Sequence, residues 1–251
     1  MVELNKIHLG DCIEVMADIP NNSVDMVITS PPYNVELDYA TYKDDMPYET
    51  YLKWCEKWIN LCVNKLKSGG RIAINVPIEN NINDKIFICN DYMNILNKCS
   101  LLQMAFILWN KNHVTSRTAW GSWLSPSCPS INNPMECILV YAKDTRKREI
   151  NKDLIDITDR EFIDWTLGIW NMQPAKSSWH PAPFPIELPI RLLKMFTCKK
   201  DIILEPFSGT GTVACACAEW ERNFIAIEKD EQYFKNSVER LKGYQNQMRL
   251  F

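Results

Sequence analysis

The chain has 251 residues, enough for one large domain with a single core and a smaller appended region. With 46% hydrophobic and 24% charged residues and no long uncharged apolar window, its composition excludes a disordered tail and a membrane span. A formal charge of -3 gives no global attraction to a phosphate backbone, so any nucleic-acid partner has to meet a local basic face.

The first predicted element is a short strand in Ile7-His8-Leu9, running into the turn Gly10-Asp11-Cys12. A β-branched strand follows at Val24 to Ile28, and directly after it stands Thr29-Ser30-Pro31-Pro32-Tyr33-Asn34. Two consecutive prolines can continue neither a central strand nor a helix, so the backbone leaves the sheet there in a stiff extended turn. From Tyr48 to Leu66 apolar residues recur at helical spacing, and Gly69-Gly70 is read as the stop. Arg71 to Val76 reads as a buried strand, Asp84 to Cys99 as a helix and Leu102 to Trp109 as a strand.

Between Asn110 and Pro181 the pattern is irregular, apart from one strand at Cys137 to Tyr141. The tryptophans here, Trp120, Trp123, Trp165, Trp170 and Trp179, are read mainly as core residues, with base stacking the alternative. Lys143, Arg146, Lys147, Arg148 and Lys152 form the candidate phosphate-contacting cluster, a solvated loop being the other reading. Regularity returns with a helix from Pro185 to Phe196, a strand at Asp201 to Leu204, a helix at Val213 to Trp220, a strand at Asn223 to Ile227 and a charged helix from Glu231 to Tyr244. Alternating strands and helices predict an α/β fold.

No basic segment followed by an apolar one occurs within Met1 to Gly10, which is the expectation for a cytoplasmic protein. Ten cysteines without a CxxC pair read as reduced thiols, and Cys215 and Cys217 as packing residues. Three scattered histidines give no metal-ligand spacing; His8 and His113 read as structural or surface residues, while His180 either packs or helps hold a ligand.

Two turns carry chemistry. Glu205-Pro206-Phe207-Ser208-Gly209-Thr210-Gly211-Thr212 lies between a strand and a helix, where glycines let backbone approach a ligand. Only GxG is present, and Glu228 ends the next strand about twenty residues on, placed to accept from ribose hydroxyls. The pair suggests a nucleoside cofactor without a pyrophosphate, against a purely structural turn. At the other turn, an amine donating to the Ser30 side chain and the Pro31 carbonyl would have its lone pair localised and aimed at an electrophilic methyl, with Tyr33 available to stack on the ring that bears the amine.

With both turns in this order, the chain resembles the permuted beta class of DNA amino-methyltransferases. Thr29 to Asn34 is similar to that family's catalytic motif, and Glu205 to Thr212 to its methionine-binding loop, with Glu for the commoner Asp. Leu9-Gly10-Asp11-Cys12 resembles the adenine-contacting motif, His180-Pro181-Ala182-Pro183-Phe184-Pro185 the cofactor-flanking motif, and Leu66 to Val76 a core strand.

The resemblance implies a mostly parallel seven-stranded sheet in a Rossmann-like fold, with one antiparallel strand near the edge. It implies one domain over 1–251: a catalytic half to 110, a specificity region over about 111–179 and a cofactor half from 180. It implies S-adenosylmethionine as cofactor, held by Asp11, Cys12, Phe184, Glu205, Phe207, Ser208, Gly209, Gly211, Thr212 and Glu228, and Ser30, Pro31, Pro32 and Tyr33 as the catalytic turn. Double-stranded DNA with a flipped base is the implied substrate. Serine at the head of the turn favours cytosine N4 over adenine N6. Transfer to an RNA or protein amine, or an inactive binding module, stands as the alternative class. A homodimer and a cognate restriction enzyme are the further partners considered.

Overall fold

The structure is a computed structural model that describes residues 2–34, 45–80, 86–111, 121–129, 131 and 133–248. Asp84, His113 and Trp120 lie outside the described residues.

Eight strands form one sheet: β1 (Lys6–Leu9), β2 (Val24–Thr29), β3 (Leu66–Pro77), β4 (Leu102–Asn110), β5 (Met135–Ala142), β6 (Ile169–Asn171), β7 (Ile202–Glu205) and β8 (Asn223–Glu228). Their order across the sheet is β1-β8-β7-β2-β3-β5-β4-β6. All neighbouring pairs are parallel except the two made by β5, which runs against both β3 and β4. The expected seven strands become eight because Ile169–Asn171, inside the region read as irregular, adds a short parallel edge strand to β4.

Helices cover both faces. α1 (Cys12–Ala17), α2 (Tyr48–Lys65) and α3 (Ile88–Lys98) pack on one core, which holds Met16, Trp58 and Tyr92. α5 (Glu187–Phe196), α6 (Thr212–Glu219) and α7 (Glu231–Met248) pack on the other, around Leu192, Val213 and Phe224. A further helix, α4 (Asp159–Trp165), was not anticipated, although its capping box of Thr158 and Glu161 is a recognisable start signal.

The long α2 shows why the pattern works. Tyr51, Cys55, Trp58, Ile59 and Cys62 recur at i, i+3 and i+4 and are all fully buried. Burying side chains of this size contributes roughly 1.5 to 3 kcal/mol each. The helix does not end at the glycines, however. It ends when Leu66 turns extended, with φ -63° and ψ 136°, and β3 starts at once. Gly69, at φ +72°, instead sits in an irregularity of β3, where the pairing with β2 jumps from Val24 with Leu66 to Met26 with Arg71. A side chain at Gly70 would stand 2.9 Å from the Lys67 carbonyl, so the bulge needs glycine for space as well as for conformation.

One consequence of the strand order positions the site. Between neighbours β2 and β7 the chain direction of winding reverses: α2 follows β2 on one face, and α6 follows β7 on the other. The carboxyl ends of β2 and β7 therefore part into a crevice, the place where open α/β sheets bind ligands.

Candidate active site

A cavity of about 400 Å³ opens at that crevice. Gly10 to Ile13 line it after β1, Ser30 to Tyr33 after β2, Pro206 to Thr210 after β7, and Ile227 to Asp230 at the end of β8, with His180 and Ala182 to Phe184 alongside. Among the expected site residues, Asp11, Cys12, Ser30, Pro31, Pro32, Tyr33, Phe184, Phe207, Ser208, Gly209 and Glu228 all face this one space. Glu205, Gly211 and Thr212 do not line it.

The glycine turn is tied to its acidic partner directly. The Gly209 amide donates to Glu228 Oε2 at 2.7 Å, and the Asp230 amide to Oε1 at 2.8 Å. Each carboxylate oxygen keeps further acceptor capacity for a ligand hydroxyl. Burial raises the Glu228 pKa despite these amide bonds. Gly209 has φ +49°, and a Cβ there would meet His180 Nε2 at 2.8 Å, so only a bare backbone fits beneath the imidazole.

His180 Nδ1 accepts from the Ala182 amide at 3.2 Å, and its ring lies 4.9 Å from that of Tyr233. Burial lowers its pKa to about 4, which keeps the imidazole neutral at physiological pH. Phe207 is wedged against α2, with ring centres 5.4 Å from Trp54 and 5.2 Å from Trp58.

Glu205 is 1% exposed beneath the turn, where Ser208 Oγ donates to Oε2 at 3.3 Å and Oε1 has no partner. Burial holds its pKa well above the usual carboxylate range. Gly211 begins α6 at φ +72° against Ser237 of α7, and Thr212 is held by Arg240, so both act by shaping the turn. On the opposite wall Asp11 caps α1 through the Ile13 amide at 2.9 Å and pairs with Lys229 at 3.1 Å. Burial, reinforced by Asp11, pushes the neighbouring Cys12 thiol up to about 12.

The turn after β2 leaves the sheet at Thr29, whose partner Ile74 is the last rung of the pairing with β3. Tyr51 of α2 donates to the Pro32 carbonyl at 2.9 Å and fixes the turn from behind. Tyr33 is 7% exposed; its hydroxyl donates to the Asn75 carbonyl at 3.1 Å and contacts Ser30 Oγ. Sequence reasoning does not single out Asn75, Trp54 or Tyr233 as site residues. The signal for Asn75 is present: it is an uncompensated amide in an otherwise apolar strand, Ile72-Ala73-Ile74-Asn75-Val76.

The basic cluster is not brought to the cavity. It lies at the amino ends of the strands, on the opposite side of the sheet. Lys143 Nζ donates to the Val63 and Leu66 carbonyls at 2.9 and 2.8 Å, and Arg148 pairs with Asp25 and Asp201 at 3.3 and 2.9 Å. Arg146 Nε donates to the Gln103 carbonyl at 2.9 Å. Of the five, Lys147 and Lys152 are exposed, while the side chains of Lys143, Arg146 and Arg148 are tied to the rest of the protein.

The residues lining the cavity suit a nucleoside with an amino-acid tail: a carboxylate at a strand end, a glycine turn admitting only backbone, and aromatic walls. Among the described residues no group of His, Cys, Asp and Glu has metal-binding geometry, and no helix is long and apolar enough to cross a membrane.

Comparison with known proteins agrees with this architecture. Residues 24–239 match the model of a DNA methylase family, the N6 and N4 methyltransferases. The type II methyltransferase M.MjaVI of Methanocaldococcus jannaschii is 39% identical over 175 residues, covering 70% of this chain and 89% of that protein. M.BglII of Bacillus subtilis is 28% identical over 256 residues, covering 96% and 69%. TTHA0409 of Thermus thermophilus, named as a candidate DNA modification methylase, superimposes with a TM-score of 0.77 at 28% identity over 95% of both chains. Its complex with S-adenosyl-L-methionine superimposes at 0.76, with 26% identity over 96% and 95%. The cytosine-N4-specific PvuII DNA methyltransferase shares the fold at a TM-score of 0.70 and 16% identity, over 96% and 90%. With the Ser30 to Tyr33 turn and the glycine turn on one cavity and the family model spanning residues 24–239, this protein belongs to the DNA methylase family of N6 and N4 amino-methyltransferases.

Proposed function

We propose that the chain transfers a methyl group from S-adenosylmethionine to the N4 amine of cytosine in double-stranded DNA, with the target base flipped into the cavity. The observation that carries the reading is the meeting of Ser30 to Tyr33 with Gly209 and Glu228 on one space at the β2/β7 crevice. The cofactor supplies an electrophilic methyl on a sulfonium, so no metal and no covalent enzyme intermediate are needed.

The chain's own groups divide the remaining work. Glu228 accepts from the ribose hydroxyls, Asp11 and Cys12 border the adenine, and Phe207, Ser208 and Gly209 border the methionine part, with Phe184 closing the side. Glu205, Gly211 and Thr212 hold the turn in shape. Ser30 Oγ and the Pro31 carbonyl accept the two amine hydrogens, which localises the nitrogen lone pair and orients it. Pro32 keeps the turn stiff, and Tyr33 offers its ring for the base to stack on.

Cytosine is preferred over adenine because serine heads the catalytic turn. A cognate restriction endonuclease is the expected companion, in keeping with the type II relatives. Mass spectrometry of nucleosides from unmethylated DNA incubated with protein and cofactor tests the reading. N4-methylcytosine is the expected product, N6-methyladenine would reassign the base while leaving the chemistry in place, and neither product from varied DNA would sink the proposal.

A further inference from the structure

A polar chain runs behind the catalytic turn. Asn75, 3% exposed at the end of β3, has its Nδ2 at 2.5 Å from Glu136 Oε2, 3.2 Å from the Tyr33 hydroxyl and 3.4 Å from Ser30 Oγ. Glu136 lies on β5, paired with Pro77 of β3, and its Oε1 forms an ion pair with Lys111. The Lys111 ammonium in turn stands 5.1 Å from the centre of the Trp109 ring. Neither Lys111, Glu136 nor Asn75 lines the cavity.

The hydrogen-bond directions in this chain follow from the donor inventory. A carboxylate paired with lysine only accepts, so the Asn75 group facing it is the NH2. Its second hydrogen points toward Tyr33 and Ser30. The Tyr33 hydrogen goes to the Asn75 carbonyl, so the contact between Ser30 and Tyr33 is filled by the Ser30 hydrogen. Ser30 is thereby left with a lone pair for an incoming N–H. The arrangement leaves Asn75 Oδ1 buried without a partner, which indicates that the amide is oriented from its NH2 side.

We propose that Glu136, held by Lys111, is a positioning residue for methyl transfer: it fixes which way the Asn75 amide points and so holds the Tyr33 phenol to take the Ser30 hydrogen, leaving the Ser30 oxygen to accept from the substrate amine. The inference rests on the reading of Ser30 as an acceptor for that amine. Were the amide turned over, Oδ1 would face Ser30 and compete for its hydrogen, drawing the hydroxyl away from Tyr33 and its lone pair away from the substrate.

Two variants test this, with wild type as reference in the same DNA methylation assay. In Glu136→Gln the new amide meets donors on both sides, Lys111 and Asn75, and cannot satisfy both; kcat should fall by about tenfold or more while the Kd for S-adenosylmethionine stays within about twofold. In Lys111→Gln with Glu136→Gln, the first glutamine accepts from the second and the second accepts from Asn75, restoring the directions without charge. Recovery of kcat to within about threefold of wild type is expected. An unchanged kcat in Glu136→Gln overturns the proposal, as does a parallel loss of cofactor affinity, which would mark a general structural role. A double variant as slow as the single one overturns it in favour of the Glu136 charge itself. Wild type that methylates no DNA would instead remove the underlying reading and this inference with it.

Discussion

The Gly209 amide donates to the Glu228 carboxylate at 2.7 Å, so the turn after β7 and the end of β8 form one continuous piece of the cavity wall. The same glycine lies under His180, where an added Cβ would stand 2.8 Å from Nε2. Gly209→Val should therefore abolish cofactor binding: its side chain would displace the imidazole and disfavour the left-handed backbone, at φ +49°, that aims the amide at Glu228. Calorimetric titration with S-adenosylmethionine checks this, and unchanged affinity would show that the cofactor avoids the turn.

Glu228→Gln keeps the shape of the strand end but removes the charge that two backbone amides address and that, in the proposed function, would accept from the cofactor hydroxyls. Charge-assisted hydrogen bonds contribute roughly 1.5 to 3 kcal/mol, so the cofactor Kd should rise by roughly ten- to 150-fold. Binding as tight as wild type would move the ribose elsewhere in the cavity.

The regular part of this fold was legible because burial imposes period: β2 is buried at every residue and α2 at one helical stripe. Both turns were legible for opposite reasons: Pro31-Pro32 restricts the backbone, whereas Gly209 permits a left-handed conformation, at φ +49°, that other residues rarely adopt. The helix stop was misplaced at Gly69-Gly70 because a β-bulge and a helix cap ask the same residue for the same freedom. Asp11 also hid a helix start, since α1 has only six residues and too little apolar period to register. In the basic loop only the charge was legible: the partners of Arg148, Asp25 and Asp201, are 123 and 53 positions away.

Tyr33→Ala should lower turnover more than cofactor affinity. The Tyr33 hydroxyl contacts Ser30 and Asn75, so in the proposed function its ring would meet the substrate base, while the cofactor would lie along the turns after β7 and β8. Lost stacking costs roughly 1 to 3 kcal/mol per base in other nucleic-acid binders, so a fall in kcat/KM for DNA of about five- to 150-fold is expected. Single-turnover methylation alongside cofactor titration separates the two, and an equal loss in both would contradict the placement.

His180 supplies a pH test. Its folded pKa of about 4 lies below the ordinary value of 6.5, so the unfolded chain binds the extra proton between those limits. Stability from this residue is complete above about pH 6.5 and is lost as pH falls toward 4, by roughly 3 kcal/mol at most. His180→Asn should show a shallower fall in Tm over that window than wild type. Parallel pH profiles would mean that the imidazole is not buried as described.

Arg148 decides between the two readings of the basic loop. Its guanidinium joins Asp25, at the start of β2, to Asp201, just before β7, and its side chain is 15% exposed against 8% and 13% for the carboxylates. Removing it in Arg148→Met takes away the only ion pair that Asp201 makes among the described residues and leaves Asp25 with Lys67 alone, which should cost about 3 kcal/mol and lower Tm by several degrees. A phosphate contact would instead be worth one released counterion, flattening the plot of log affinity for DNA against log salt by about 0.9. Because the loop sits at the amino ends of the strands and the cavity at their carboxyl ends, the Tm should fall while the salt slope holds. A flattened slope at unchanged Tm would return the loop to the DNA interface, and the duplex would then have to reach around the edge of the sheet.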